Sequence, residues 1–264
     1  MPFFHRCERE DWETVLRADN KLLPLRSRFI YEFAQNVYAN VLGEGDFDEH
    51  SFSDLLPGPE KVARPDRDTL LHEVIRNVMG FHLDYSTGHF PEEEIEHYRS
   101  ILEEAGLRQP PWLCECHIRE HIGELDRLLT KAVHILTPSV FYVLFSDRQF
   151  LKAFQVRVAA YISTLKREDH PDLLAKDGVL RRPKHLPSWL KSGIFYRDRG
   201  RCQRCSKDMT GLGRPVNDLH LDHIIPLAAS GSNDPTNFQL LCADCNLGKG
   251  RHTMHYPPKF APYW

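Results

Sequence analysis

The chain of 264 residues has no long apolar run: the longest, Val140 to Phe145 (VFYVLF), falls far short of the roughly 20 residues a membrane-spanning helix requires. No membrane insertion is therefore expected. The opening stretch MPFFHRCERE turns charged too soon for a secretory signal, and a cytoplasmic protein is expected. Internal repeats and low-complexity tracts are also missing, so nothing points to a solenoid or a fibre. Cysteine is scarce and odd in number, seven residues without an export signal, which argues against a disulfide framework and for reduced thiols. A net charge of -3 carries no bias toward any partner until it is divided along the chain.

Divided near residue 180, the charge separates. From Arg181 onward thirteen Lys and Arg face six Asp and Glu, a local +7, while residues 1–180 hold twenty-one against thirty-one, or -10. A basic C-terminal part favours nucleic acid; an acidic N-terminal part does not. The acidic part reads as helical. Arg26 to Leu42 sets Phe29, Ile30, Phe33, Val37 and Val41 at helical spacing, and Asp68 to Met79 repeats the pattern behind an Asp cap. Pro91 to Ala105 opens on proline and three glutamates and stops before Gly106. His117 to Leu136 and Asp147 to Leu165 are two further amphipathic stretches, and the aromatic face Phe141, Tyr142, Phe145 reads as core. The expected fold is mainly α: a helical bundle over residues 1–170, with Gly43 to Arg67 as a long surface loop, a proline-containing linker over 171–187, and a second domain over 188–264.

That second domain holds two C-x-x-C knuckles, Cys202/Cys205 and Cys242/Cys245, separated by thirty-six residues. Together they offer the four soft ligands of a closed tetrahedral Zn2+ site, which leaves no position for a reactive water and is therefore structural. Between them LHLDHIIPL sets Asp222 beside His223 in a strand-like run, where a carboxylate and an imidazole are costly to bury unpaired. A loop (ASGSNDPTN), a strand (FQLL) and a helix from Ala243 follow, giving a strand, strand, helix order.

The stretch LDHIIPLAASGSNDPTNFQLLCADCNLGKG, with IFYRDRGRCQRC ahead of it, resembles the HNH endonuclease family in its zinc-stabilised form over roughly residues 188–252. The resemblance implies a small ββα-metal domain that hydrolyses DNA phosphodiesters with Mg2+ or Mn2+, leaving 5′-phosphate and 3′-hydroxyl ends. A single site of this kind would nick duplex DNA as a monomer. Carried over by position, Asp222 and Asn246 would hold the divalent ion, His223 would be the general base, Asn237 would hold the loop behind it, and Lys249 would meet a phosphate. The family's last letter is Asn here instead of His. The chemistry asks for these types: two oxygen ligands leave a hard ion open to water and substrate, and histidine is a neutral base near pH 7. Fused to an unfamiliar helical domain, such a unit resembles nuclease effectors of prokaryotic anti-phage or restriction-like systems, with mobile-element nucleases the other setting.

His220 shares a face with Asp222 and is expected in a supporting or exposed position. Arg199, Arg201, Arg204, Lys249 and Arg251, with Arg181, Arg182, Lys184 and Arg197, make up the candidate DNA path, about half of which would be solvated surface. The acidic helical domain is expected to bind a protein partner or to shield the basic domain. The rival reading is a zinc-dependent DNA- or protein-binding module whose nuclease site is silent. CECHIREH adds Cys114, Cys116, His117 and His121. The two histidines lie one helical turn apart and could share an ion, but the cysteines follow Pro110-Pro111 in a loop leading into a helix, and a core role is the preferred reading.

Overall fold

The computed structural model describes residues 28–43, 49–211 and 219–250. Its first helix, α1 (Arg28–Leu42), buries Ile30, Phe33, Ala34, Val37 and Val41, the apolar stripe that helical spacing sets on one face. The expected surface loop at 43–67 is corrected. It carries two short helices, α2 (Glu49–Asp54) and α3 (Pro59–Ala63), and Phe52, Leu55, Leu56 and Val62 are buried in the main core. Pro59 starts α3, where a missing N–H costs nothing, and Arg64 is extended ahead of Pro65, as a residue before proline must be.

Helix α4 (Leu70–His89) begins one residue later than the Asp68 cap anticipates. Thr69 is the cap: its side chain accepts from His72 N while its own N–H donates to the His72 ring at 3.0 Å. Asp68 instead takes both arms of Arg76, at 3.0 and 2.8 Å. After α5 (Ile95–Glu104) and a 3-10 turn (Ile118–His121), α6 (Ile122–Ser146) forms the centre of the bundle, packed against α1, α4, α5 and α7 (Arg148–Thr164). By length and composition the stretch Ile118–Ser146 would suffice to cross a bilayer, but Leu125, Leu129, Leu136, Val140 and Leu144 face the core. The aromatic face at its end is only partly core. Phe141 and Phe145 are half-buried, whereas Tyr142 is 62% exposed. Asp147 caps α7 by accepting from Gln149 N and Phe150 N.

Residues 171–187, expected as a linker, carry a hairpin, β1 (Leu174–Lys176) and β2 (Val179–Leu180), whose Leu174 and Leu180 are buried in the helical core. Then come α8 (Ser188–Arg197), β3 (Leu219–His223), β4 (Phe238–Cys242) and α9 (Ala243–Lys249). β3 and β4 pair antiparallel, with Asp222 opposite Gln239 and His223 opposite Phe238, and α9 packs on both strands. The fold is thus mainly α, a helical bundle followed by a small ββα unit. Among the described residues there are two cores. Leu190, Ile194, Met209, Phe238, Leu240 and Leu241 surround the knuckle cysteines, while Ile224, Ile225 and Leu227, just past β3, enter the core of the bundle.

Candidate metal centres and active site

The four knuckle cysteines converge. Their sulfurs lie within 4.8 Å of one another, and Cys205 and Cys242 are 3.8 Å apart. Two sulfurs on one tetrahedral zinc, each bonded at about 2.3 Å, stand about 3.8 Å apart, so the set fits that ion. Burial raises the Cys202 thiol, but the backbone N–H groups of Cys205, Cys242 and Arg204 outweigh it and bring it down to about 7, favouring the thiolate that a metal binds. The knuckles stand where they do because β4 ends at Cys242, α9 starts at Ala243, and Gln203 N donates to Leu240 O at 2.9 Å.

The alternation of a strand puts Asp222 and His223 on opposite faces of β3. On one face, Lys249, just 1% exposed, reaches from α9 and donates both to Asp222 Oδ2 and to His223 O. Gln239 Nε2 donates to the same carboxylate oxygen at 3.3 Å. Asn246 sits half-buried one turn before Lys249 on α9. A buried ammonium already balances this carboxylate and opposes a second cation on the same oxygen. Asp222 and Asn246 offer oxygen donors of the type a hard divalent ion takes, and Lys249 would have to leave Oδ2 for the ion to be seated there.

On the other face the His223 ring packs at 4.5 Å from the Phe238 ring and its Nε2 lies 3.1 Å from Asn233 Oδ1. Both Asn233 amide hydrogens are committed, to Ala63 O at 3.0 Å and Arg181 O at 2.9 Å. Its Oδ1 can therefore only accept, so Nε2 of His223 carries the proton and Nδ1 keeps the lone pair. Burial pulls the His223 pKa down to about 4, against the hydrogen bond it donates to Asn233, so the ring is neutral at pH 7.

The loop between β3 and β4 is held from inside and out. Asn237 accepts from Ile225 N at 2.8 Å and donates to Ile225 O at 3.0 Å and Ser232 O at 2.8 Å. Gly231 fits where nothing larger can, because a Cβ there would meet Ile225 O at 1.9 Å. From outside, the bundle supplies partners. Asn233 N donates to Val62 O at 2.8 Å, and the buried Asp234 carboxylate accepts from Leu70 N at 2.7 Å, at the start of α4. Gln155 on α7 donates to Thr236 Oγ1 at 2.7 Å and accepts from Ser232 Oγ at 2.8 Å. Nearby, Arg148 at the start of α7 donates to Gln239 Oε1 at 2.8 Å and to Gln203 Oε1.

The residues singled out from sequence divide accordingly. Asp222, His223, Asn237 and Lys249 come together around β3; Asn246 stands on the helix behind them; His220 is exposed on the Asp222 face. Arg199 and Arg201 are exposed and Arg204 is half-buried near Cys245 O. Lys249 does not reach the surface where a phosphate would meet it, since its ammonium is turned onto Asp222. Arg197 also leaves the surface: it bonds Phe238 O at 2.6 Å, pairs with Asp198 at 2.9 Å and covers the Phe145 ring. Arg251 lies outside the described residues. Sequence reasoning missed Asn233, Asp234, Gln155 and Gln239. Of these only Asp234 left a trace, in the Asp-Pro-Thr run that marks an Asx turn.

Comparison with curated proteins and with solved structures gives no match. No family model matches the helical bundle. The region of the knuckles, β3, β4 and α9 does match one: residues 202–252 match the model of the HNH endonuclease family.

Proposed function

We propose that the chain is a metal-dependent DNA endonuclease that nicks duplex DNA as a monomer, acting in the cytoplasm as the nuclease effector of a prokaryotic anti-phage or restriction-like system. The observation that carries the reading is a neutral imidazole, pinned through Nε2 and keeping Nδ1 as a base, one residue from a carboxylate on the other face of the same strand. In this reading His223 Nδ1 takes a proton from the water that attacks phosphorus, a step worth on the order of 10²- to 10⁴-fold. Asn237 keeps the loop closed so that the ring cannot swing away. Mg2+ or Mn2+, held by Asp222 and Asn246, would supply charge compensation at the phosphate and at the leaving oxygen. Arg199, Arg201 and Arg204 stand beside the zinc knuckle, where backbone phosphates would be positioned but not read for sequence.

A second reading has its own support. Lys249 already neutralises Asp222, and His223 is only 5% exposed, both of which favour a latent or silent site in the isolated chain. In that case the protein binds DNA or a partner protein through its zinc unit without a product.

A time course on supercoiled plasmid in Mg2+, then Mn2+, with EDTA and His223→Ala as controls, separates the two. Open-circle product that requires both the ion and His223 is expected. Intact plasmid, with zinc-loaded and folded protein still binding DNA, would favour the silent module.

A further inference from the structure

Away from the nuclease unit, the loop between α5 and α6 brings three more metal-ligating atoms together. Cys114 Sγ and Cys116 Sγ are 2.9 Å apart, and His117 Nδ1 stands 3.2 Å from the first and 3.1 Å from the second. Cys114 is half-buried and Cys116 and His117 are exposed, so the core role expected for these cysteines does not hold. The alternative that their spacing allowed, His117 and His121 sharing one ion, is not what the structure brings together either. The His121 ring stacks on Trp112 at 4.7 Å and its Nδ1 faces Glu124 at 3.5 Å, away from the cluster.

The loop is built to hold that geometry. Leu113 and Ile118, both buried in the core, bracket the three ligands. Between them the N–H groups of His117 and Ile118 both donate to Cys114 O, at 3.1 and 3.0 Å, closing a tight turn that aims all three side chains outward. From α5, Arg99 fixes the carbonyl of Leu113 at 2.6 Å. The ordering of the chain is thus met by the core before any ion arrives.

We propose that Cys114, Cys116 and His117 form a second zinc site, with three protein ligands and a fourth position open to water or to a donor from a partner. Thiolate and imidazole together select a soft or borderline ion, and zinc foremost. Around zinc, with sulfur at about 2.3 Å and nitrogen at about 2.0 Å, the ligand atoms would spread to roughly 3.5–3.8 Å apart. The opening needed is under about 1 Å, which side-chain rotations of exposed Cys116 and His117 supply. The placement of His117 decides against a simple thiol pair. An imidazole within 3.2 Å of both sulfurs adds nothing to a disulfide, but it completes one triangular face of a tetrahedron. Unlike the closed four-cysteine centre, this one can exchange a ligand.

The test is zinc content of the purified full-length protein, with free-thiol counting on the same sample. Two zinc ions per chain are expected, falling to one in Cys116→Ser and in His117→Ala, while Cys205→Ser removes the other ion and keeps this one. All three altered side chains are on exposed positions, and an unchanged far-ultraviolet dichroism spectrum in the first two variants confirms that the bundle is intact. One ion per chain, unchanged in Cys116→Ser and His117→Ala, would overturn the proposal. So would two thiols missing from the count and restored only by reductant, since that marks a disulfide between Cys114 and Cys116.

Discussion

Asn233 holds the ring of His223, the proposed general base, through a direct hydrogen bond at 3.1 Å. Its backbone and side chain bond Val62 O, Ala63 O, Arg181 O and the His223 ring, and because its two hydrogens are spent on carbonyls it leaves His223 one tautomer. Asn233→Ala is therefore expected to lower kcat by about 10²-fold with KM little changed, because a misplaced base still allows substrate to bind. Nitrogen NMR of the His223 ring provides the readout that a loss of stability alone would not move. The wild type should show Nε2 protonated throughout, and the variant a mixture of tautomers; an unmixed tautomer in the variant would remove Asn233 from this role. The four cysteines were legible from their spacing, and Asp222, His223 and Asn237 were singled out through the resemblance of one continuous stretch. Asn233 was not, because it stands in a Gly/Ser/Asn stretch that reads as an ordinary turn, and its partners lie 170 and 52 residues away.

At the scale of elements, amphipathic spacing told where α1, α4, α6 and α7 lie, and the strand, strand, helix order after the knuckle was also plain. α2 and α3 were hidden because each is too short for periodicity to register, at 6 and 5 residues, and proline and glycine surround them. Equally hidden was the joint between α7 and the β3–β4 loop, since polar residues on a helix normally face water. Gln155 is fully buried and spends both ends of its amide on Ser232 and Thr236. Gln155→Leu keeps the volume but leaves the Ser232 hydroxyl without its acceptor, at about 1–3 kcal/mol, while Thr236 Oγ1 keeps its hydrogen bond to Asp234. Urea unfolding of this variant should show a loss of about 1–3 kcal/mol, and a loss below about 0.5 kcal/mol would mean that water takes over the amide's work.

For the whole molecule, the division of charge into -10 and +7 suggested an acidic bundle that shields a basic nuclease or recruits a partner for it. The structure ties the two parts more closely than a shield requires. Ile224, Ile225 and Leu227 leave β3 and enter the core of the bundle, and each is worth roughly 1.5–3 kcal/mol buried, a large share of the about 5–15 kcal/mol that holds a domain folded. Val62, Ala63, Leu70, Gln155 and Arg181 then satisfy the loop that positions His223. Cutting the chain at residue 180 would expose those three apolar side chains and take Val62 and Ala63 from Asn233 and Leu70 from Asp234, leaving Arg181 O as the one backbone carbonyl still bonded to Asn233. A fragment of residues 181–264 with zinc bound should therefore melt at a lower temperature than the full chain and nick plasmid at least tenfold more slowly, at matched metal and protein concentration. A shield predicts the opposite sign, so a fragment that nicks faster than the full chain would make the bundle a removable inhibitor, and a slower one makes it part of the active site's frame.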